Sequence, residues 1–255
     1  MSTVSTAMAD SAIMLRRNLK HTLRNPVTVF NAILFPIVMM LLFVKVLGGG
    51  FDVGAGVDYI DYATPGLLVM TISYGLGATS TAVNDDMTKG IINRFKTMDV
   101  SRGAMLTGHV VVTTVRCLVA CSAIIGMAFL MGFDPGASAA EWLGVLGLIV
   151  LVSFAAAWLT VGLGLAAKSP ESAGMATVPL IMLPFLSSAF VPSETMGTGV
   201  RQFVEYQPFT PIIEALRGLL AGNPSSGDTI AAVAWSVGFA VIGYLWAVSS
   251  FKKRA

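Results

Sequence analysis

Residues 142–167 read WLGVLGLIVLVSFAAAWLTVGLGLAA, 26 positions without one charged side chain. At about 1.5 Å per residue a helix of that length reaches about 39 Å, and the hydrocarbon core of a bilayer is about 30 Å thick. A helix satisfies its own backbone in lipid, which an irregular chain does not. The stretch therefore predicts a membrane-spanning helix, and the pattern recurs on both sides of it. Apolar runs of similar reach cover Val27 to Leu47, Pro65 to Val83, Ala104 to Gly132, Ala173 to Val191 and Thr229 to Phe251. We expect an all-α integral membrane protein with six transmembrane helices.

Composition points the same way. Of the 255 residues, 55% are hydrophobic and 12% charged, about half the charged share of a soluble domain. That excludes an ordinary water-soluble enzyme. A net charge of +2, from 16 basic and 14 acidic residues, leaves no footprint for nucleic acid. The 26 glycines and 14 methionines suit close-packed helices in lipid. Cys117 and Cys121 lie four apart in one apolar run, which suggests neither a disulfide framework nor a thiol metal site.

The basic residues fix an orientation. Six crossings put both termini on one side, and with them go Arg16, Arg17, Lys20, Arg24, Lys89, Arg94, Lys96, Arg102, Lys168, Lys252, Lys253 and Arg254. The opposite loops hold only Arg201 and Arg217, so both termini are expected in the cytoplasm. Residues 1–26 then form a cytoplasmic leader, 27–251 the membrane domain and 252–255 a basic tail. In the leader, Leu15, Leu19 and Leu23 recur beside Arg16, Lys20 and Arg24, the spacing of an amphipathic helix at the interface. A plain topology anchor fits that pattern equally well.

Two segments fall outside the simple spans. After span two, Asn84 and Asp85 are placed to cap a short cytoplasmic helix. On it Met87, Ile91, Phe95 and Met98 share one face, rimmed by Asp86, Lys89, Arg94 and Lys96. An apolar ridge with a charged rim suits the groove of a cytosolic partner; a loop folded back on the helix ends is the plainer reading. Between spans five and six, Pro192, Pro208, Pro211 and Pro224 punctuate an outward segment. Its pieces Gly197 to Tyr206 and Pro211 to Ala221 reach only about 15 Å as helices, so they are expected to be re-entrant or interfacial, with Glu214 and Arg217 paired at i, i+3.

Within the spans, Ser73, Gly75, Gly77, Ser80 and Thr81 make span two the best candidate for a pathway lining, although small residues also serve packing alone. Pro179 and Pro184 would kink span five. Arg116 in span three faces protein or water, or snorkels to the headgroups; His109 beside it reads as an ordinary polar contact. Gly162 to Ser169 imitates a phosphate loop, yet Ala167 occupies the required glycine and Pro170 follows. No catalytic signature occurs and no Asp or Glu sits deep in a span, so neither intrinsic catalysis nor a bound cofactor is expected. External power is favoured over a self-powered carrier or channel, or a lipid-modifying enzyme.

Five stretches carry a family resemblance: Leu23-Arg24-Asn25-Pro26, Tyr59-Ile60-Asp61-Tyr62-Ala63-Thr64-Pro65-Gly66, DMTKGIINRFKTMDVSR over Asp86 to Arg102, Phe185 to Pro192, and Pro208-Phe209-Thr210-Pro211 with Glu214-Ala215-Leu216-Arg217. In that order they resemble ABC type-2 exporter permeases of the daunorubicin-resistance branch, departing at Asp99 and Gly197, where proline is common. The resemblance implies a cell-membrane permease that pairs with an identical or related chain and with two cytosolic ATP-binding subunits holding ATP and Mg. It implies that the leader and the Asp86 to Arg102 region, with Asp86, Met87, Lys89, Gly90, Ile91, Arg94, Phe95, Lys96, Met98 and Arg102, transmit ATPase movement. It also implies that spans two and five border the route, which adds Phe185 and Phe190 to Ser73, Gly75, Gly77, Ser80, Thr81, Pro179 and Pro184. Hydrophobic or amphiphilic cargo, whether drug, lipid or glycoconjugate, would move outward among membrane lipids.

Overall fold

The computed structural model describes residues 26–50, 57–88 and 102–254, and every regular element among them is helical. The leader with its Leu15, Leu19 and Leu23 face lies outside the described residues, as do Lys89, Gly90, Ile91, Arg94, Phe95, Lys96 and Met98. Helix α1 spans Pro26–Leu41 and continues as a wide π segment, Leu42–Leu47, and a 3-10 turn, Gly48–Gly50. Helix α2 is Tyr59–Thr88, α3 Arg102–Leu130 and α4 Ala139–Ala166. After α5, Pro170–Met175, and α6, Val178–Met182, the chain passes through 3-10 turns at Leu183–Leu186 and Ser193–Thr195. It ends with α7, Thr198–Tyr206, α8, Phe209–Leu220, and α9, Ser226–Arg254.

Among the described residues four helices are long and apolar enough to cross a membrane: Tyr59–Thr88, Leu106–Leu130, Ala139–Ala166 and Ser226–Lys252. The least apolar of them, α2, is the most buried. It runs through the middle of the bundle, against α1, α3, α4, α5 and α8. Hydroxyls that lipid would penalise are satisfied inside the helix, Thr64 donating to Ile60 O at 2.6 Å and Thr71 to Leu67 O at 2.7 Å. Apolar packing surrounds one half of α2 with Leu67, Leu68, Met70, Ile213 and Leu216, and the other half with Val83, Val110, Trp158 and Leu165.

The connections follow local chemistry. Helix α3 stops where Gly132 turns to φ +103°, with Phe133 N bonding Ala128 O and Gly132 N bonding Phe129 O, the 6→1 and 5→2 pair of a Schellman end. Helix α4 then starts at a capping box in which Ser138 and Glu141 bond reciprocally. Helix α9 lies along α4 in the most extensive helix pairing of the fold. At Gly243 the two backbones meet: a Cβ there would stand 2.5 Å from Leu159 N.

Two expectations are corrected. The predicted fifth span, Ala173 to Val191, is not one helix but α5, α6, a 3-10 turn and a non-helical stretch. Pro179 and Pro184 each remove a backbone donor, while Thr177 Oγ1 bonds Gly174 O and Ser187 Oγ bonds Pro184 O, supporting turns in place of a regular ladder. Nor do Asn84 and Asp85 cap a separate helix, because α2 continues through both to Thr88. The short pieces between α6 and α9 form close to their expected bounds, as α7 and α8, and α8 packs into the bundle. Its Phe209, Ile212, Ile213, Leu216 and Leu220 are buried against α2, α4 and α9.

Candidate functional site

Chemistry collects at the two ends of α2. At the Tyr59 end, Tyr59 and Tyr62 share a helix face by i, i+3 spacing and reach the non-helical stretch after α6. Tyr62 Oη donates to Ser188 O at 3.0 Å and Tyr59 Oη to Phe190 O at 3.2 Å. Arg217 of α8 enters the same cluster. Its Nη1 pairs with Glu214 Oε1, its Nη2 donates to Ser188 O at 2.8 Å, and Nε and Nη2 both reach Tyr62 O. The guanidinium lies 3.8 Å over the Tyr62 ring, and Ser188 Oγ donates to Glu214 Oε1 at 2.6 Å. One cation and one carboxylate thereby tie α2, α8 and the 187–190 stretch together.

The i, i+3 spacing predicts the Glu214–Arg217 pair, whereas its partners Tyr62 and Ser188 are not among the site residues expected from the sequence. Their only signal was membership of the quoted family stretches. Aromatic rings complete this end: Phe190 stacks on Phe43 at 3.9 Å between centroids, and Phe185 tilts against Phe190 at 5.8 Å. Close approach is required too, since a Cβ on Gly66 would lie 2.5 Å from Ala189 Cβ.

The other pathway candidates are seated differently. Ser73 is buried beside a void of about 20 Å3 whose walls include Ile72, Leu76, Phe209 and Ser236, room for about one water. Ser80 Oγ donates to Ala173 O at 2.9 Å, Thr81 Oγ1 to Gly77 O at 3.0 Å and Pro170 O at 3.4 Å, and Thr177 Oγ1 sits close over Gly77. The small face of α2 is thus a bed for α5. Pro184 is buried, Phe185 half-buried and Pro179 exposed on α6.

At the Thr88 end, Asn84 is buried and donates to Gly164 O at 3.0 Å and Ala167 O at 2.7 Å, the carbonyls left over at the end of α4. Asp86 Oδ2 meets His109 Nε2 of α3 at 3.1 Å in a buried contact, where a carboxylate, an acceptor only, takes the imidazole N–H. Met87 packs on the apolar cluster around Val83 and Leu106. Arg102 opens α3, so Asp86 and His109 join the two helices that flank 89–101. Higher along α3, Arg116 donates from Nη2 to Gly75 O and, at 2.8 Å, to Thr79 Oγ1. It points into α2 and does not snorkel. Thr79 and Thr113 share a hydrogen bond of 2.8 Å just below it. The Gly162 to Ser169 stretch is the end of α4 and the cap of α5, with no strand before it, which is not a phosphate-binding loop.

Residues 11–221 match the family model described as ABC-2 type transporter. The chain is 26% identical over 239 residues to the daunorubicin resistance ABC transporter permease protein DrrB1 of Streptomyces coeruleorubidus, covering 93% of this chain and 84% of that one. It is likewise 26% identical over 245 residues to the probable doxorubicin resistance ABC transporter permease protein DrrC of Mycobacterium tuberculosis (strain CDC 1551 / Oshkosh), covering 92% and 85%. Membrane-length helices among the described residues, a buried polar seam and a family match over most of the length agree. The chain belongs to the ABC-2 type transporter family, as a multi-pass membrane permease.

Proposed function

We propose that this chain is the membrane half of an ATP-driven exporter. It crosses six times with both termini in the cytoplasm, the helix through Leu34–Gly50 and the broken 170–191 segment adding two crossings to the four long helices. Two such chains, identical or related, face each other, and two cytosolic ATP-binding subunits grip them from below. Hydrophobic or amphiphilic cargo leaves by a path that opens between the paired permeases. The relatives' names, resistance to daunorubicin and doxorubicin, support drug-like cargo and outward movement.

One observation carries the reading. Helix α2 runs unbroken for 30 residues, about 45 Å, from the Tyr62–Ser188–Glu214–Arg217 cluster to the start of the Asp86 to Arg102 stretch. A rod that long, anchored in the outer segment and ending at the partner's seat, suits transmission of movement. ATP and Mg act on the partner, whose closure displaces the ridge of Ile91, Phe95 and Met98, while Met87 itself packs into the bundle. Work is done only if that ridge prefers different positions in the two states, not merely by contact.

Phe95→Asp puts a carboxylate on the ridge. In purified complexes the recovery of ATP-binding subunit is expected to fall about tenfold or more, as at an interface hot spot, with ATP-dependent doxorubicin uptake by inverted vesicles falling in parallel and membrane insertion unchanged. Normal recovery with normal uptake defeats the proposed seat.

A further inference from the structure

The Thr88 half of α2 and the facing side of α3 are joined by a line of polar contacts that packing alone does not require. Arg116 Nη2 donates to Gly75 O and Thr79 Oγ1, Thr79 and Thr113 share a hydrogen bond, Thr113 Oγ1 donates to His109 O, and His109 meets Asp86. Positions rise along α2 as they fall along α3, the register of an antiparallel pair, and the spacings of three and four on α3 put its members on one helix face. The protons have one consistent arrangement. Because Thr113 spends its only O–H on His109 O, Thr79 must donate to Thr113, and Arg116 supplies the donor that Thr79 accepts. The Thr79–Thr113, Thr113–His109 and His109–Asp86 contacts are buried among neighbours such as Val83, Leu106 and Val110, where a hydrogen bond is electrostatically stronger, and the two Arg116 contacts are part-buried.

We infer that this line locks α2 to α3, so that residues 89–101 drive a two-helix lever and not two helices that slip past each other. His109, Thr113, Thr79 and Asp86 are positioning residues for energy coupling, an inference that rests on the coupling seat proposed above. The reason is mechanical. The 89–101 stretch is covalently attached to both helices, and apolar side chains resist separation better than sliding, because small shear of packed helices is a common motion. Directional bonds to fixed donors and acceptors oppose that shear. Without them a push delivered at Thr88 moves α2 past α3 instead of carrying both helices together.

The test uses the complex with its ATP-binding subunit in lipid, with Cys117→Ser and Cys121→Ser as background and spin-label pairs within one chain. A pair at Thr88 and Lys252 reads α2 against α9, and a pair at the exposed Ala78 and Val111 reads α2 against α3. In the wild-type lock, Mg-ATP with vanadate is expected to shift the Thr88 pair and leave the Ala78 pair fixed. In His109→Leu combined with Thr113→Val, both pairs shift, while His109→Gln, which keeps a donor, behaves as the wild type. Nucleotide-free distances equal to those of the wild type show that the variants fold, and Thr113→Val alone replaces the double variant if it does not insert. A fixed Ala78 pair beside a shifting Thr88 pair in the leucine–valine variant overturns the lock and leaves the coupling seat standing, as does a wild-type Ala78 pair that shifts. Loss of the Thr88 shift in that variant with intact nucleotide-free distances also overturns it, because these residues then act on docking. A wild-type complex in which nucleotide does not move the Thr88 pair overturns the seat and the lock together.

Discussion

Arg217→Met is expected to destabilise the folded chain by about 2–3 kcal/mol. The figure lies at and below the lower edge of the range of about 3–5 kcal/mol for breaking a buried ion pair, because Glu214 is one-third exposed and partly screened. Methionine replaces the volume but not the five donors, so Ser188 O loses its guanidinium partner, Tyr62 O loses two, and the Glu214 carboxylate keeps only the Ser188 hydroxyl. Removing the stranded carboxylate as well, in Arg217→Met with Glu214→Leu, is expected to recover part of the loss, because a pair replaced whole costs less than a pair broken in half. Thermal unfolding midpoints of the purified protein in one detergent, arranged as a double-mutant cycle, measure both effects. An unchanged midpoint in the single variant, or a double variant no better than the single, contradicts the anchoring role given to Arg217.

The second large effect sits where α9 crosses α4. A methyl group at Gly243 meets Leu159 N at 2.5 Å and the Trp158 carbonyl carbon at 2.7 Å, both backbone atoms with no rotamer to change. The helices must part, and the neighbouring edge-to-face contact of Trp158 with Tyr244 at 5.0 Å opens with them. Gly243→Ala is expected to cost about 1–3 kcal/mol, and Gly243→Leu more, since helix association in lipid depends on close packing without a hydrophobic drive. Gly238 on the same helix has nothing within 4 Å of an added Cβ. There, Gly238→Ala is expected to leave the midpoint unchanged or raise it by helix propensity. Equal losses at the two positions would mean that the close crossing is not what Gly243 provides.

These contrasts mark what the amino-acid order does and does not disclose. Residues 142–167 were legible as a helix because no charge interrupts them, and α4 runs Ala139–Ala166. Helix α2 was read short, from Pro65 to Val83, because Asp61, Asn84, Asp85 and Asp86 look like loop to a hydropathy scale. In the fold Asp61 accepts from Asp134 N, Asn84 caps α4 and Asp86 holds His109. The Ala173 to Val191 stretch errs the other way: apolar composition suggests a helix, but prolines supply the breaks and distant side chains the missing hydrogen bonds. Glu214 and Arg217 were found because they lie three apart, a distance that sequence displays. Tyr62 stands 126 positions from Ser188 and 155 from Arg217, so no local pattern joins them. The direction of Arg116 likewise depended on Gly75, 41 residues earlier.

The phenols of Tyr59 and Tyr62 have a bearing on mutational tolerance. They lend the 187–190 stretch the donors that a regular helix would have found within itself, so tolerance at these sites does not follow bulk or oiliness. A phenylalanine there preserves shape and greasiness, and by every conventional similarity score is the mildest exchange on offer. At Tyr59 it nonetheless strands the Phe190 carbonyl in a buried site, and at Tyr62 it leaves the Ser188 carbonyl to Arg217 alone.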